Sequence, residues 1–250
     1  VIDLVGYRRY GHNEQDEAAY TQPLMAALIE RQPSVRQQYA QELVGEGVVS
    51  QEEVDATVAE VDTKLKEAHE RLKTTFGQAV PAVAYEGRIP ASSRVEVVTA
   101  VAADRLRSLN EELLAVPEGF TVNPKLAKQL ERRRETIEQG GIDWGQAEEL
   151  AFASLLVEGI PVRLTGQDTE RGTFSHRHLV LHDAHNGQAH APIQNLREAT
   201  ASFEIHNSPL SEEACLGFEY GYSVAAPEAL VACEAQFGDF VNGAQVAIDQ

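Results

Sequence analysis

Two hydrophobic periods run along this chain. VIDLV opens a strand pattern that predicts a buried strand over residues 1–7, followed by the polar loop RRYGHNEQDEAAYTQP. Two helices are predicted next. Ser34 with Gln37 and Ser50 with Glu53 match the capping box, and Gly45 and Gly47 mark the turn between them. In the second helix Val54, Val58, Val61, Leu65, Ala68 and Leu72 recur at spacings of four and three. Such a stripe predicts tertiary packing and is too short for a coiled coil. Residues 74–95 are weakly patterned, hold two prolines and read as a linker. A short helix is predicted near 102–115. Another starts with Asn123 as cap and Pro124 in its first turn, its basic run ERRRE expected to face solvent. From Asp143 the period changes repeatedly. A helix ends at Gly159, then IPVRLT, HLVLH, FEI and ALVAC read as strands, with one helix starting after Ser211 and another at the end. Helices alternating with short apolar strands predict an α/β fold, a parallel or mixed sheet covered on both faces.

Composition narrows the classes. The chain has 250 residues, 43% hydrophobic and 24% charged, enough to bury a core in one large domain or two small ones. A net charge of −18 repels phosphate backbones, so no nucleic-acid or anionic-membrane partner is expected. Cys215 and Cys233 lie in apolar contexts and read as reduced core residues. No apolar run is long enough to span a membrane, and nothing at the start looks like a targeting peptide. Val1 opens inside a strand pattern and the chain stops inside a helix pattern, so an internal piece of a longer polypeptide is expected.

Four features could carry chemistry. Glu219 sits among apolar helix positions; its neighbours three and four residues away are Cys215, Leu216, Tyr222 and Ser223, and no Lys or Arg follows Arg197. Either its end reaches water or a backbone donor, or it is a tuned acid–base group in a low-dielectric pocket. The loop EAQFGDF after ALVAC places Phe237 and Phe240 where ligands collect in parallel sheets, at the C-terminal strand ends. His12, in GYRRYGHNE beside Arg8 and Arg9, could donate to a phosphate. Five of the eight histidines, His176, His178, His182, His185 and His190, cluster; on a strand the first three would share a face. A transition-metal site would show tighter pairing with Cys or carboxylate ligands, so an active-site or interface loop is the better reading.

The segments DLVGYRRYGHNEQDE, YTQPLM, FTVNPKL, IDWGQAEELAFASLL, VRLTGQDTERGTFSHRH, LSEEACLGFEYGYS and EAQFGDFVNGAQVAIDQ together resemble one family, the thiamine-diphosphate-dependent first component of the 2-oxoglutarate dehydrogenase complex. GYRRYGHNE is also similar to the matching loop of the pyruvate dehydrogenase first component, and EAQFGDF resembles the ring-stacking segment of transketolases. The resemblance implies a transketolase-like, thiamine-diphosphate-binding α/β fold with parts of two such domains. Residues 1–75 would end a diphosphate-binding domain with its helical hairpin, 76–141 would link, and 142–250 would begin the pyrimidine-binding domain.

It also implies roles. Glu219 would share a proton with the aminopyrimidine ring, Phe240 would stack on that ring with Phe237 beside it, and His12 would lie near the diphosphate. Asp168 would stand close to the cofactor, and His176 and His178 near the active-site mouth or dimer interface. No metal ligands are expected here, since those for Mg2+ would lie outside this segment. The implied reaction is oxidative decarboxylation of 2-oxoglutarate with succinyl transfer to the lipoyl arm of a second component, by a homodimer. The fragment itself is expected to be inactive. The alternatives are 2-oxoadipate decarboxylation by the same machinery and a non-catalytic dimer scaffold. The location would be bacterial cytoplasm, or the mitochondrial matrix in a eukaryote.

Overall fold

The computed structural model describes residues 1–3, 6–10, 16–75, 98–236 and 243–250. Contacts divide the chain into two compact units, Val1–Glu30 with Thr99–Gln250, and Arg31–Val98.

The described part of the smaller unit holds two helices, α2 (Val35–Gly45) and α3 (Gln51–Thr75). Their starts are set locally. Ser34 and Gln37 bond reciprocally across a capping box, and the Glu53 carboxylate accepts from Ser50 N–H while Ser50 Oγ accepts from Glu53 N–H. The α3 stripe does not pack as expected: Val58, Val61, Leu65 and Leu72 are exposed. Spacing creates an apolar face but cannot supply the surface that covers it.

The larger unit opens with α1 (Pro23–Arg31) and continues through α4 (Ala103–Leu113), α5 (Pro124–Gln139) and α6 (Trp144–Val157). Asn123 and Asp143 cap α5 and α6, each accepting a backbone N–H in the first turn. Of the strand expected at 1–7, residues 1–3 and 6–7 have no strand structure and Val1 and Ile2 are fully exposed, while residues 4 and 5 lie outside the described residues. A strand needs a neighbour to take its backbone hydrogen bonds, and no described strand lies beside this one.

Strands β1 (Val162–Gly166), β4 (Phe203–Asn207) and β5 (Leu230–Glu234) form a parallel sheet in the order β4-β1-β5. This is the expected α/β architecture, with the central strand β1 in register with Phe203 and Leu230 at Val162, and with Asn207 and Glu234 at Gly166. Side chains alternate across it. Val162, Leu164, Phe203 and Ile205 pack with Leu109, Leu113, Leu150, Leu156, Leu179 and Ile193 into the core. Arg163, Thr165 and Glu204 face the other way, towards α7 (Glu212–Ala225), which joins β4 to β5.

Two expectations fail in the middle of this unit. HLVLH is not a strand: only β2 (Leu181–His182) pairs, with β3 (Ala189–His190), and His178 has φ of 57°. His176, His178 and His182 therefore do not share a strand face. In the ERRRE run Arg133 is buried, 2% exposed, bonded to Glu149 at 2.6 Å and to the carbonyls of His176 and Arg177 at 3.1 Å. A guanidinium turns inward when it can satisfy several acceptors at once.

Candidate active site

The C-terminal ends of β1, β4 and β5 converge at Gly166, Asn207 and Glu234, where parallel sheets bind ligands. Three loops leave this edge. The first carries Gln167 and Asp168, the second leads into α7 at Glu212, and the third begins with Ala235 and Gln236. They are bonded to one another. Gln167 Nε2 donates to Glu212 Oε1 at 3.1 Å, Gln236 Nε2 to Asp168 Oδ2 at 3.0 Å, and Ser208 N–H to Gly166 O at 2.7 Å.

Gly166 has no room for a side chain. A Cβ there would lie 2.4 Å from Thr169 Oγ1 and 2.8 Å from the Glu234 carbonyl oxygen. Gly243 is similarly confined, since its Cβ would stand 2.8 Å from Glu212 Cβ.

A charged network fixes the first loop from beneath. Glu234 accepts from Thr173 N–H at 2.8 Å and Thr173 Oγ1 at 2.7 Å, and is paired with Arg177, which also grips Glu148. Burial alone would raise the Glu234 pKa, but the bonds from Thr173 and Arg177 together hold it below the usual carboxylate value. Arg171 reaches Asp168 at 3.6 Å and Asp16 at 3.5 Å, which joins the end of the first polar loop to the edge of the sheet.

Glu219 is buried, 4% exposed, as its apolar neighbours imply. Its expected isolation from cations is overturned. Arg163 Nε donates to Oε2 at 2.8 Å and Nη2 to Oε1 at 3.0 Å, a two-pronged pair that Glu204 extends. Glu219's hydrogen bond is the leading cause holding the Arg163 guanidinium above its ordinary pKa. The cation stands 56 residues upstream, on the neighbouring strand, where helical spacing cannot reveal it.

Contacts between β1 and α7 form a ladder that orders the two acids of this helix. Arg163 meets Glu219, Thr165 Oγ1 lies 3.9 Å from Cys215 Sγ, and Gln167 meets Glu212. The helix therefore runs antiparallel to the strand, with Glu212 at the ligand-binding end. Glu219 lies back along the sheet, about 10 Å away at 1.5 Å of helix rise per residue. Glu212 is half-buried, and among the described residues its Oε2 takes no hydrogen bond. Nothing in the sequence spacing sets Glu212 apart from Glu213 beside it. Their shared place in the first turn after a parallel strand was the signal available.

Of the remaining expected residues, Asp168 lies at this edge, bonded to Gln236 and near Arg171. His176 covers Gly172, with its Nδ1 buried and without a hydrogen bond among the described residues; burial, then Arg177, lowers its pKa. His178 is buried, 3% exposed, its Nε2 donating to Ser175 O at 2.8 Å and its ring edge-on to Tyr20. Burial lowers its pKa to about 4. His12, Phe237 and Phe240 lie outside the described residues. Cys215 and Cys233 are free thiols, 3.7 Å apart. No group of three or more His, Cys, Asp or Glu is arranged for a metal among the described residues.

This sheet, with its loop edge and crossover helix, defines the class. Residues 140–250 match the model of the transketolase pyrimidine binding domain, and residues 1–79 match that of the dehydrogenase E1 component. Over its whole length the chain is 50% identical to a 2-oxoglutarate dehydrogenase E1 component of Geobacillus kaustophilus, and 48% identical to one of Bacillus cereus. It covers 26% of each relative, so it spans about a quarter of the length of these curated relatives. Over its whole length the chain is thus similar to one segment of the 2-oxoglutarate dehydrogenase E1 components, with a dehydrogenase E1 match at its start and a pyrimidine binding match at its end.

Proposed function

We propose that this chain holds the aminopyrimidine half of thiamine diphosphate in an enzyme that oxidatively decarboxylates 2-oxoglutarate and passes the succinyl group to the lipoyl arm of a second component. The carrying observation is the half-buried Glu212 carboxyl at the C-terminal edge of the sheet, with one oxygen held by Gln167 and the other unengaged among the described residues. That donor set fits a flat heterocycle with a protonatable ring nitrogen. When bound, thiamine diphosphate would supply a carbon nucleophile and an electron sink for the bonding pair left behind as CO2 departs.

Glu212 holds and exchanges the proton at the ring nitrogen, taking the role that the family resemblance implied for Glu219. Both Glu219 oxygens already accept from Arg163, so neither is presented to a ligand. Gln167 orients the Glu212 carboxyl, and Asp168 with Gln236 forms the facing wall. We assign Phe240 to stacking on the ring with Phe237 beside it, His12 to the diphosphate, and His176 and His178 to supporting the loop at the site's mouth.

The reading carries the rest of the enzyme with it. The domain divisions are 1–75, 76–141 and 142–250, Mg2+ is held by residues outside the chain, and a homodimer works with the lipoyl-bearing component in the bacterial cytoplasm. No described helix is long and apolar enough to cross a membrane. In the full-length enzyme Glu212→Gln should lower kcat by at least ~100-fold, the scale of a well-placed proton-transfer group, with the dimer intact. Near-normal turnover by that variant refutes the assignment, and unchanged thiamine diphosphate affinity in Phe240→Ala removes the stacking role.

A further inference from the structure

Helix α7 packs on β5 and β1 but buries few side chains for an element that presents a reacting group. Of its 14 residues only Cys215 and Glu219 are buried, while Phe218, Tyr220 and Val224 are exposed. Cys215 offers only weak contacts, to Cys233 of β5 at 3.7 Å and to Thr165 at 3.9 Å. The strong attachment is at Glu219, where Arg163 donates two hydrogen bonds, 2.8 and 3.0 Å, with side-chain exposures of 13% and 5%. The same guanidinium lies 4.6 Å from the Tyr222 ring centroid and 5.5 Å from that of Phe218. Residues 218, 219 and 222 share one face of the helix, so Arg163 grips three neighbouring positions there. On its other side it is held by Glu204 of β4.

We infer that the Arg163–Glu219 pair is a clamp that sets the rotation and axial position of α7, and through it the aim of the Glu212 carboxyl. Glu212 and Glu219 are seven residues apart, close to two full turns, so they project from nearly the same side of the helix. A fork held by two parallel N–H···O bonds restricts rotation as well as distance. At a side-chain radius of ~6 Å, a 20° turn of the helix moves a carboxylate by ~2 Å. A shift of ~1 Å in a positioned group can cost ~100-fold in rate. Arg163 and Glu219 are thus positioning residues, and they touch no reacting atom. The inference rests on Glu212 as the ring-binding acid.

The test uses the full-length enzyme and the variants Glu219→Gln, Arg163→Lys and Arg163→Met, with Glu212→Gln alongside. In cofactor-free protein, amide hydrogen exchange across 208–217 should rise by at least ~10-fold in Glu219→Gln and Arg163→Lys, while β1 and β4 keep their protection. Loaded with thiamine diphosphate, the same variants should lose ~10- to 100-fold in kcat with little change in KM for the 2-oxo acid. The double variant Arg163→Met with Glu219→Gln should be no slower than the worse single one, because both remove one interaction. Arg163→Lys keeps the charge and the fold while losing the fork, so it decides the matter if Arg163→Met does not fold.

Wild-type exchange in the first turn of α7 together with wild-type kcat overturns the clamp, even if the melting temperature falls. A loss above ~1000-fold in Glu219→Gln with normal Arg163→Lys also overturns it, since Glu219 would then act directly. Normal turnover in Glu212→Gln sinks the site assignment instead, and leaves the exchange result to be judged by itself.

Discussion

Lowering the pH should unlock the loop beneath the site, and His178 sets the window. Its imidazole is buried with a neutral ring, Nε2 donating to Ser175 O, and burial brings its pKa down from 6.5 to about 4. A histidine depressed in this way binds fewer protons in the folded than in the unfolded chain between those two values. Stability is therefore full above 6.5, falls as the pH drops, and levels off below about 4. Carried through linkage at ~1.4 kcal/mol per pH unit, the gap amounts to roughly 3 kcal/mol, a large part of a domain's net stability. Protonation would also place a second N–H in a buried setting that Arg133 and Arg171 already make positive. The comparison variant is His178→Asn, because asparagine tolerates the left-handed backbone found there, φ 57°, and does not titrate. Urea unfolding of both proteins at a series of pH values gives the difference in stability. That difference should favour the wild type near neutrality and shift steadily towards the variant as the pH falls. A constant difference across the window would show that His178 does not titrate with folding and would refute the reasoning.

Two further outcomes follow from packing. Leu164→Ala, at a core position 3% exposed, should cost about 2–5 kcal/mol by urea midpoint; less than ~1 kcal/mol would mean the core collapses to fill the space. Gly166→Ala should cost about 1–3 kcal/mol by thermal unfolding, because its Cβ meets Thr169 Oγ1 and the Glu234 carbonyl oxygen; an unchanged melting temperature would show that the loop yields freely.

What could be read along the chain was what neighbours in sequence decide. The capping box at Ser34 and Gln37 closes within three residues, and so do the bonds from Asn123 and Asp143 to the first turns of α5 and α6. Strands β1, β4 and β5 were legible because short apolar runs between helices suit a sheet covered on both faces. HLVLH carried the same apolar signal, yet His178 and Leu179 give their backbone N–H groups to the carbonyls of Arg171 and Glu170 in the preceding loop. The ERRRE run was misread for a related reason: periodicity cannot show that Glu149 and two carbonyls wait beside Arg133.

The candidate site divides in the same way. That ligands gather where strands end was visible and pointed to the loop after ALVAC, while Asp168 was reached only through the family resemblance. Which acid of α7 faces that edge was not visible, because Glu212 and Glu219 differ by two helical turns and look alike in sequence. The sequence alone determined the alternating helices and strands, their caps, and a helix bearing acids over a parallel sheet, because those depend on hydrogen bonds and hydrophobic spacing within a few residues. Only the tertiary structure decided that Arg163 claims Glu219 and leaves Glu212 at the sheet's edge. Charges pair through space, and here the partner is 56 residues distant along the chain.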